Sequence, residues 1–240
     1  MGILEGEIEL QRPSMETPWT SIAATFPCEP LPPNSQREPI RTERLVIRPL
    51  QENDLQALHE LRSQPEAMTG TSLGRPDRDI EESRAALQGF LPPHDSDTFL
   101  FGVFLAATGE LIGEGGVHNL ASSPYSWPEI GYKFRKEFWG KGYATEFLQA
   151  FLAVWWALPR RRRATIEEIS PEACMQNAVV GVEQIIANAD AQNIASRMVL
   201  EKSGFVQFAE WTEPDTQEHR LGQPITLVGY RLSSPGGDVE

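Results

Sequence analysis

The 240-residue sequence predicts an α+β fold built on a mixed, mostly antiparallel sheet. Three β-rich runs follow one another between residues 98 and 134, joined by a turn at Thr108-Gly109 and by a loop that contains Pro124 and Pro128, which indicates an antiparallel meander. An apolar helix pattern then covers residues 143–158. Two further β-rich runs lie at 205–211 and 225–232. Because the strands come as hairpins rather than as alternating βαβ units, a doubly wound nucleotide-binding fold is disfavoured.

Composition narrows the classes of function. The formal net charge of -13 and the isoelectric point of about 4.8 argue against a nucleic-acid surface and favour cationic substrates. Cys28 and Cys174 are the only cysteines, and neither has a partner at a zinc or redox spacing, so we predict no metal site. No apolar run reaches the roughly 18 residues of a membrane span, and the start of the chain lacks a signal-peptide pattern. We therefore expect a cytoplasmic protein that binds neither nucleic acid nor membrane.

Residues 1–39 are rich in Pro, Glu, Ser and Thr and show no hydrophobic period. This composition predicts a disordered leader. In the alternative, Trp19, Ile22 and Phe26 dock on the body as a short helix. We predict that the ordered domain covers residues 40–232 and that a loose tail covers 233–240.

The domain is predicted to contain two short helices before its meander. Its first strand covers residues 40–50, the first helix starts after Asp54 and ends before Pro65, and Asp79 opens the second helix. The other predicted elements are the strands at 98–106, 111–119, 129–134 and 183–188, the long helix at 143–158, a helix at 193–203 and the two closing strands. We interpret the tryptophans of the long helix, Trp155 and Trp156, as core residues rather than ligand contacts.

The best functional signal is a glycine turn at residues 139–146, Trp-Gly-Lys-Gly-Tyr-Ala-Thr-Glu, between a strand and the long helix. Gly140 and Gly142 allow a tight turn, and a helix that begins there presents unpaired N–H groups. The spacing excludes a P-loop, which needs four residues between its first glycine and its Gly-Lys-Ser/Thr sequence. It also excludes a dinucleotide turn, which needs Gly or Ala where Thr145 stands. A cradle for pyrophosphate remains, with a purely structural turn as the alternative.

Three separated stretches resemble one family. Residues 42–50 read Thr-Glu-Arg-Leu-Val-Ile-Arg-Pro-Leu, residues 129–132 read Glu-Ile-Gly-Tyr ahead of the glycine turn, and residues 193–196 and 201–205 read Asn-Ile-Ala-Ser and Glu-Lys-Ser-Gly-Phe. In this order they resemble the GCN5-related N-acetyltransferases (GNAT), particularly the branch that contains the ribosomal-protein N-terminal acetyltransferases. The resemblance implies the GNAT fold, in which the sheet is splayed at the cofactor site and helices cover both faces.

The resemblance also implies that acetyl-CoA is the co-substrate. Its pantetheine arm would pair with the backbone near Tyr132 and Phe134. Asn193 matches the family asparagine that touches this arm, with capping of its own helix as the alternative. The side chain of Lys141 either adds charge or is solvated. The pyrophosphate would lie on the backbone amides of the turn, which are those of Trp139, Gly140, Lys141, Gly142, Tyr143 and Ala144.

Acetyl transfer requires a neutral amine, a donor for the oxyanion and a proton for the departing thiolate. Ser196 matches a position proposed as the proton donor in this branch. Glu129 lies, by family pattern, near the reacting centre and would act as the base through water, and Glu114 on the preceding strand is the rival base. The alternative for both carboxylates is a surface or electrostatic role. We interpret His118 as a polar residue near a strand end rather than as a base.

Two features depart from the family pattern. Glu137 stands where the family commonly has Gln or Arg, and it would place an anion close to the pyrophosphate. Residues 164–182 fit no element and lengthen a connection that the family keeps to a few residues. We interpret them as a surface insertion or as sequence foreign to the domain.

The leading functional hypothesis is direct transfer of the acetyl group of acetyl-CoA to a primary amine, either a protein N terminus or a small amine. The rivals are a catalytically silent acyl-CoA-binding module of the same fold and a transferase of a longer acyl group. Variable loops at 69–76 and 121–127 would select the acceptor, whether small molecule or peptide. The sequence leaves a homodimer open.

Overall fold

The computed structural model describes residues 20–122, 126–169 and 182–235, without the side chains of 20–23 and 162–169. The helices are α1 (Leu55–Arg62), α2 (Pro65–Met68), α3 (Ile80–Gln88), α4 (Tyr143–Ala157) and α5 (Ile194–Lys202). The strands are β1 (Thr20–Pro27), β2 (Ile40–Arg41), β3 (Leu45–Arg48), β4 (Phe99–Leu105), β5 (Leu111–Ser122), β6 (Trp127–Phe134), β7 (Arg160–Ile169), β8 (Gln184–Asp190), β9 (Val206–Pro214) and β10 (Pro224–Ser233).

One mixed sheet of eight strands carries the architecture, in the order β2-β3-β4-β5-β6-β8-β10-β9. It consists of two antiparallel blocks, one from β2 to β6 and the other containing β8, β10 and β9. The blocks meet where β6 runs parallel to β8, and among the described residues these strands pair only at Glu129 and Ile186. The predicted α+β fold with a mixed, splayed sheet is confirmed.

Helices cover both faces of the sheet, and β4 contributes apolar side chains alternately to the two faces. Phe99, Phe101 and Val103 belong to the larger core, together with residues of α4 and α5. Leu100 and Phe104 lie on the other face and pack with α1 and α3. A strand that is apolar on both faces fits the centre of such a sheet.

Helix α4 supplies the aromatic part of the larger core. Phe147, Phe151 and Trp155 recur at four-residue spacing, and all three are fully buried. Their rings follow one another at centroid distances of 5.8 and 6.4 Å. Such aromatic pairs add roughly 0.5–1.5 kcal/mol each to the burial of their surface. The structure thus confirms the predicted helix and the core role of Trp155.

The prediction of a disordered leader is wrong from Thr20 onward. Strand β1 pairs antiparallel with β7, and the two form a separate sheet that we call the β1–β7 ribbon. Phe26 anchors the ribbon by stacking on Trp127 at a centroid distance of 5.3 Å. Phe26 therefore docks on the body, but within a strand and not within the short helix of the alternative prediction. Trp19 lies outside the described residues.

The chain between the ribbon and Ile40 is also part of the fold, so the predicted start of the domain is too late. Leu31 is 1% exposed and belongs to the larger core. The Arg37 guanidinium lies 4.6 Å from the Phe99 ring centroid and donates to the Thr98 carbonyl at 2.7 Å. Burial lowers the pKa of Arg37 to about 10. These contacts fix the segment to the sheet.

Two other predicted segments differ from the structure. The single strand predicted at 40–50 is a hairpin, in which β2 pairs with β3 across a turn that Thr42 closes by accepting a hydrogen bond from the Leu45 N–H at 2.9 Å. The turn contains no Gly or Pro, so the run resembled one strand. Of the supposed insertion, 164–169 form the end of β7, paired with β1, while 170–181 lie outside the described residues.

Among the helices in the three described ranges, none has the length and hydropathy of a membrane span. The same ranges contain no group of three His, Cys, Asp or Glu side chains placed to hold a metal ion.

Candidate functional site

The central feature of the site is a gap between two parallel strands. Strands β6 and β8 pair at Glu129 and Ile186 and pair at no later position among the described residues. Tyr132 and Phe134 lie beyond that pair, on the open edge of β6. A strand edge with unpaired N–H and C=O groups is a template for an extended ligand. The gap is therefore suited to a chain that runs alongside β6.

The glycine turn follows the open end of β6 and leads into α4. Gly140 and Gly142 have positive φ angles of 70° and 82°, in the left-handed region that glycine enters without strain. A Cβ on Gly140 would meet no heavy atom within 4 Å, so conformation rather than crowding requires glycine there. Gly142 is the N-cap of α4, and no side chain caps this helix. The N–H groups of its first turn thus remain for a ligand.

An ion pair that the sequence reasoning missed holds the turn in place. Glu146 accepts hydrogen bonds from Arg44 Nε at 2.7 Å and from Thr42 Oγ1 at 2.6 Å. Arg44 also donates to the Lys141 carbonyl at 3.0 Å, and its guanidinium lies 4.5 Å from the Tyr143 ring centroid. Burial raises the pKa of Glu146, but the hydrogen bonds from Thr42 and Arg44 outweigh this effect, and the pKa is lowered overall. Arg44 and Glu146 belong to two of the stretches that resemble the family, but the sequence does not show that they pair across the fold.

Two side chains of the turn already have contacts within the protein. Trp139 is 47% exposed, and its Nε1 donates to the Phe134 carbonyl at 2.7 Å. One lone pair of that carbonyl is thus used, which limits the ligand pairing predicted near Phe134. Lys141 is exposed, and its Nζ lies 5.4 Å from the Phe138 ring centroid. The ammonium stays beside the turn and accessible to an anion.

Glu137 does not present a free charge to the turn. Its carboxylate lies 2.7 Å from Arg135 Nη2 and accepts a hydrogen bond from Gln64 Nε2 at 3.1 Å. A hydrogen bond from its own backbone N–H, together with Gln64 and Arg135, lowers the pKa of Glu137. Arg135 therefore pairs with the charge that Glu137 is predicted to place close to the pyrophosphate.

At the start of α5, Ser196 is joined to the side chain of Tyr132. Asn193 Oδ1 accepts from the Ser196 N–H at 3.0 Å, so Asn193 caps its own helix, as in the alternative prediction. The Tyr132 hydroxyl lies 3.1 Å from Ser196 Oγ and 3.2 Å from its carbonyl oxygen. Burial raises the pKa of Tyr132 to about 12. The two hydroxyls form what we call the Tyr132–Ser196 pair.

Glu129 lies on the other face of β6, because its neighbour Ile130 belongs to the larger core. Its side chain is 17% exposed. Asn188 Nδ2 donates to Oε1 at 3.0 Å, and the Ser122 hydroxyl donates to Oε2. His118 Nε2 lies 3.9 Å from Oε1. The hydrogen-bond donors to this carboxylate are thus neutral.

Glu114, the rival base, is enclosed by cations. It stands directly opposite Lys133 in the register of β5 and β6, and the Lys133 ammonium contacts its carboxylate. Arg62 Nη1 lies 4.0 Å from the same oxygen, and Arg62 Nε donates to Asp77 at 2.6 Å. Only 5% of Glu114 is exposed. The carboxylate is therefore shielded from a substrate amine.

His118 lies beside Glu129 and is not near a strand end, because β5 continues to Ser122. A Cβ on Gly131 would come within 3.2 Å of His118 Nδ1, so the ring lies over this glycine. The side chain is 46% exposed. Burial of the rest of the ring lowers the pKa of His118; Glu129 opposes this effect and Lys133 adds to it.

The chain matches a family model described as an acetyltransferase (GNAT) domain over residues 44–206, which is more than half of its length. The chain belongs to the GNAT acetyltransferase family. Sequence similarity to one curated protein agrees with this. The uncharacterized N-acetyltransferase p20 of Bacillus licheniformis is 28% identical over 116 residues, and the match spans 48% of this chain and 64% of that protein. The chain thus covers less than two thirds of that relative.

Solved structures of GNAT proteins match most of this chain and nearly all of their own chains. A GNAT-family acetyltransferase from Bacillus anthracis has a TM-score of 0.60 at 22% identity, covering 82% of this chain and 99% of that one. Spermidine N-acetyltransferase from Vibrio cholerae, in complex with CoA and spermine, has a TM-score of 0.58 at 17% identity, covering 80% and 97%. Ribosomal-protein-S5-alanine acetyltransferase from Vibrio fischeri has a TM-score of 0.58 at 15% identity, covering 85% and 100%.

In this GNAT chain the predicted site residues fall into two groups. The Tyr132–Ser196 pair lies on the face of the sheet that α4 covers, since Tyr132 packs against the larger core. Glu129 lies on the opposite face with His118 and Asn188. Sequence reasoning missed Asn188; the one available signal was its position in the strand that follows the unassigned segment.

Proposed function

We propose that this GNAT-family chain is an acetyl-CoA-dependent N-acetyltransferase that moves an acetyl group directly to a primary amine. One observation carries the proposal. The gap between β6 and β8 has the Tyr132–Ser196 pair on one face and Glu129 beside His118 on the other, and it ends at a glycine turn with an uncapped helix N terminus. Direct transfer needs a proton donor for sulfur and a proton acceptor for the amine, and this arrangement supplies both.

The residues present fit acetyl-CoA. The N–H groups at the start of α4 and the positive end of its dipole suit a pyrophosphate. Lys141 adds an accessible positive charge beside them. The unpaired edge of β6 suits the pantetheine arm, which is an extended chain with amide groups. When bound, acetyl-CoA supplies the acetyl thioester, and the proton transfers fall to this chain.

The Tyr132–Ser196 pair is our candidate for the proton donor. The raised pKa of Tyr132, about 12, means that its hydroxyl keeps its proton at neutral pH. A hydroxyl both donates and accepts, so the 3.1 Å contact allows Tyr132 to replace a proton that Ser196 gives up. Ser196 is held for this by the cap of its own helix. The pair is thus suited to protonate a departing thiolate.

We propose a cationic amine as the acceptor. The chain is acidic, with a net charge of -13, and the partly exposed Glu129 offers an anion on the face opposite the Tyr132–Ser196 pair. Two structural relatives are named for amines, spermidine in one case and a ribosomal-protein alanine in the other. An α-amino group has a pKa of roughly 8 against about 10.4 for lysine, so a weak base suffices for it.

The proposal is tested by binding and turnover on the full chain. Calorimetry with acetyl-CoA and CoA measures the cofactor site, and thiol release measures transfer to a panel of peptides, polyamines and small amines. We expect binding together with turnover of at least one cationic amine. Tight CoA binding without turnover across the panel would contradict the enzyme and support the silent acyl-CoA-binding module. The mass of any co-purified acyl-CoA separates acetyl transfer from transfer of a longer acyl group.

A further inference from the structure

We propose that His118 is the general base for the acceptor amine and that Glu129 is the residue that positions its ring. This inference rests on the proposed function, because it concerns the amine half of acetyl transfer. It differs from the expectation that a carboxylate takes the proton. The contacts of both side chains carry it, together with the glycine beneath the ring.

The first observation is that the carboxylate oxygens of Glu129 already have protein partners. Ser122 donates to Oε2, and Asn188 donates to Oε1 at 3.0 Å. The Glu129 side chain is 17% exposed, against 46% for His118. An amine that approaches this face therefore has easier access to the imidazole than to the carboxylate.

The second observation is the space made for the ring. His118 lies over Gly131, where a Cβ would come within 3.2 Å of Nδ1 and 3.3 Å of Cε1. Gly131 follows Glu129 by two residues in β6, so it belongs to the part of the strand that β8 no longer pairs. Any larger side chain there would displace the ring. The glycine thus allows His118 to lie at the edge of the gap.

The third observation concerns the orientation of the ring nitrogens. Nε2 faces Glu129 at 3.9 Å, which favours a proton on that nitrogen. Nδ1, over Gly131, then carries the lone pair. The charged groups that act on the ring are Glu129 and Lys133 on β6, and burial keeps the pKa of His118 below its usual range. The imidazole is therefore neutral near pH 7 and able to accept a proton.

A fourth observation points to a ligand that donates hydrogen bonds. Asn188 Oδ1 is buried and accepts no hydrogen bond from the described residues. Its amide group donates to Glu129, which places the asparagine in the same cluster as His118. A substrate ammonium has three N–H donors, one for His118 Nδ1 and another for such an oxygen.

The chemistry balances with these groups. The substrate ammonium gives one proton to His118 Nδ1, and the imidazolium later returns it to solvent. The amine lone pair forms the C–N bond as the C–S bond of the thioester breaks. The second proton of the former ammonium is lost from nitrogen to solvent as the amide forms, and the leaving sulfur takes one from the Tyr132–Ser196 pair, which solvent refills. The products are the acetylated amine, the free thiol and one proton.

The test compares His118→Ala and Glu129→Gln with a matched control, His94→Ala. His94 is an exposed histidine on the 3₁₀ helix before β4, and its Nδ1 lies 3.6 Å from the Asp97 carboxylate. Each variant is assayed for kcat and kcat/KM between about pH 5 and pH 9, with the best amine of the panel. Acetyl-CoA affinity and the unfolding curve are measured in parallel to show that the variants fold.

We expect His118→Ala to lower kcat about 100-fold, the scale of a lost general base, and added imidazole to restore part of it. Acetyl-CoA affinity stays unchanged, and His94→Ala behaves like wild type. Glu129→Gln lowers kcat about tenfold and shifts the acid limb of the profile to lower pH. The shift has this sign because Glu129 raises the pKa of His118, so without it the neutral imidazole persists to lower pH.

Wild-type kcat and an unchanged acid limb in His118→Ala would overturn the inference while the proposed function stands. An acid limb that survives in His118→Ala and disappears in Glu129→Gln would also overturn it and make Glu129 the base. A wild-type chain that binds acetyl-CoA but acetylates no amine would overturn both proposals. The outcomes for the inference and for the function are thus distinguishable.

Discussion

Glu114 and Glu129 lie on neighbouring strands and on the same face of the sheet, yet their surroundings are opposite. Glu114 is 5% exposed, contacts the Lys133 ammonium and lies 4.0 Å from Arg62. Glu129 is 17% exposed, accepts from neutral donors and lies 3.9 Å from an imidazole. The comparison shows that two carboxylates on one face of a sheet can differ in burial and in the charge of their neighbours, and we propose that only Glu129 takes part in the chemistry.

The largest effect is expected for Glu114→Ala. It leaves the Lys133 ammonium, whose side chain is 15% exposed, without its carboxylate partner, at a cost of about 3 kcal/mol in the free energy of unfolding, while Arg62 keeps its hydrogen bonds to Asp77. Urea denaturation measures this. The double variant Glu114→Met with Lys133→Met removes both partners and should recover most of the loss. A loss below about 1 kcal/mol in the single variant would show that the pair behaves like an exposed one.

Glu129→Gln should show the reverse pattern. Its partners Ser122 and Asn188 are neutral, so we expect the free energy of unfolding to change by less than about 1 kcal/mol. The kcat value falls about tenfold, as given above. Denaturation and steady-state kinetics on the same preparation test the comparison directly. Equal stability losses in Glu129→Gln and Glu114→Ala would remove the distinction.

Tyr132→Phe probes the other face of β6. Without its hydroxyl, Ser196 loses the 3.1 Å contact, and we expect kcat to fall about tenfold with acetyl-CoA affinity unchanged. Stability gives a second readout. Folding raises the pKa of Tyr132 to about 12 from an ordinary value near 10, so this hydroxyl ionises at lower pH in the unfolded chain than in the folded one. Wild type therefore loses stability as the pH rises from about 10 to 12, and Tyr132→Phe lacks this loss.

Asn193→Ala probes the same face as Tyr132→Phe, through the cap of the helix that carries Ser196. Removing the cap of α5 costs about 1 kcal/mol and loosens Ser196. A drop in kcat larger than that of Tyr132→Phe would indicate that Ser196 depends on the cap more than on the tyrosine. Wild-type kinetics in both variants would contradict a role for the Tyr132–Ser196 pair.

The smallest effect is expected for a third carboxylate, Glu137. Since Arg135 and Gln64 hold it, Glu137→Gln should change the Kd for acetyl-CoA by less than about twofold. Lys141→Ala, which removes an exposed cation beside the turn, should raise this Kd about threefold. Calorimetry measures the Kd for acetyl-CoA in both variants. A large effect in Glu137→Gln alone would show that its charge reaches the cofactor.

The parts of the fold that depend on local patterns were predictable from the sequence. The apolar period of residues 143–158 predicts helix α4. Gly140 and Gly142 predict the turn before it, and their φ angles are positive in the structure. The β1–β7 ribbon was not predictable, because its strands lie more than a hundred residues apart and β7 begins with arginines that resemble a helix end. The ranking of Glu114 and Glu129 also required the register, which places Lys133 opposite Glu114.

The contacts of the first residues that the structure describes bear on how the protein is cloned. Residues 44–206 match the family, but that interval omits Leu31, which is buried in the larger core, and Arg37, whose guanidinium packs on the Phe99 ring. It also omits β10, which lies between β8 and β9 in the sheet. An expression fragment cut at these limits would lack both a core anchor and an inner strand. Purification tags and crystallisation fragments should therefore leave the chain intact from Thr20 to Ser233.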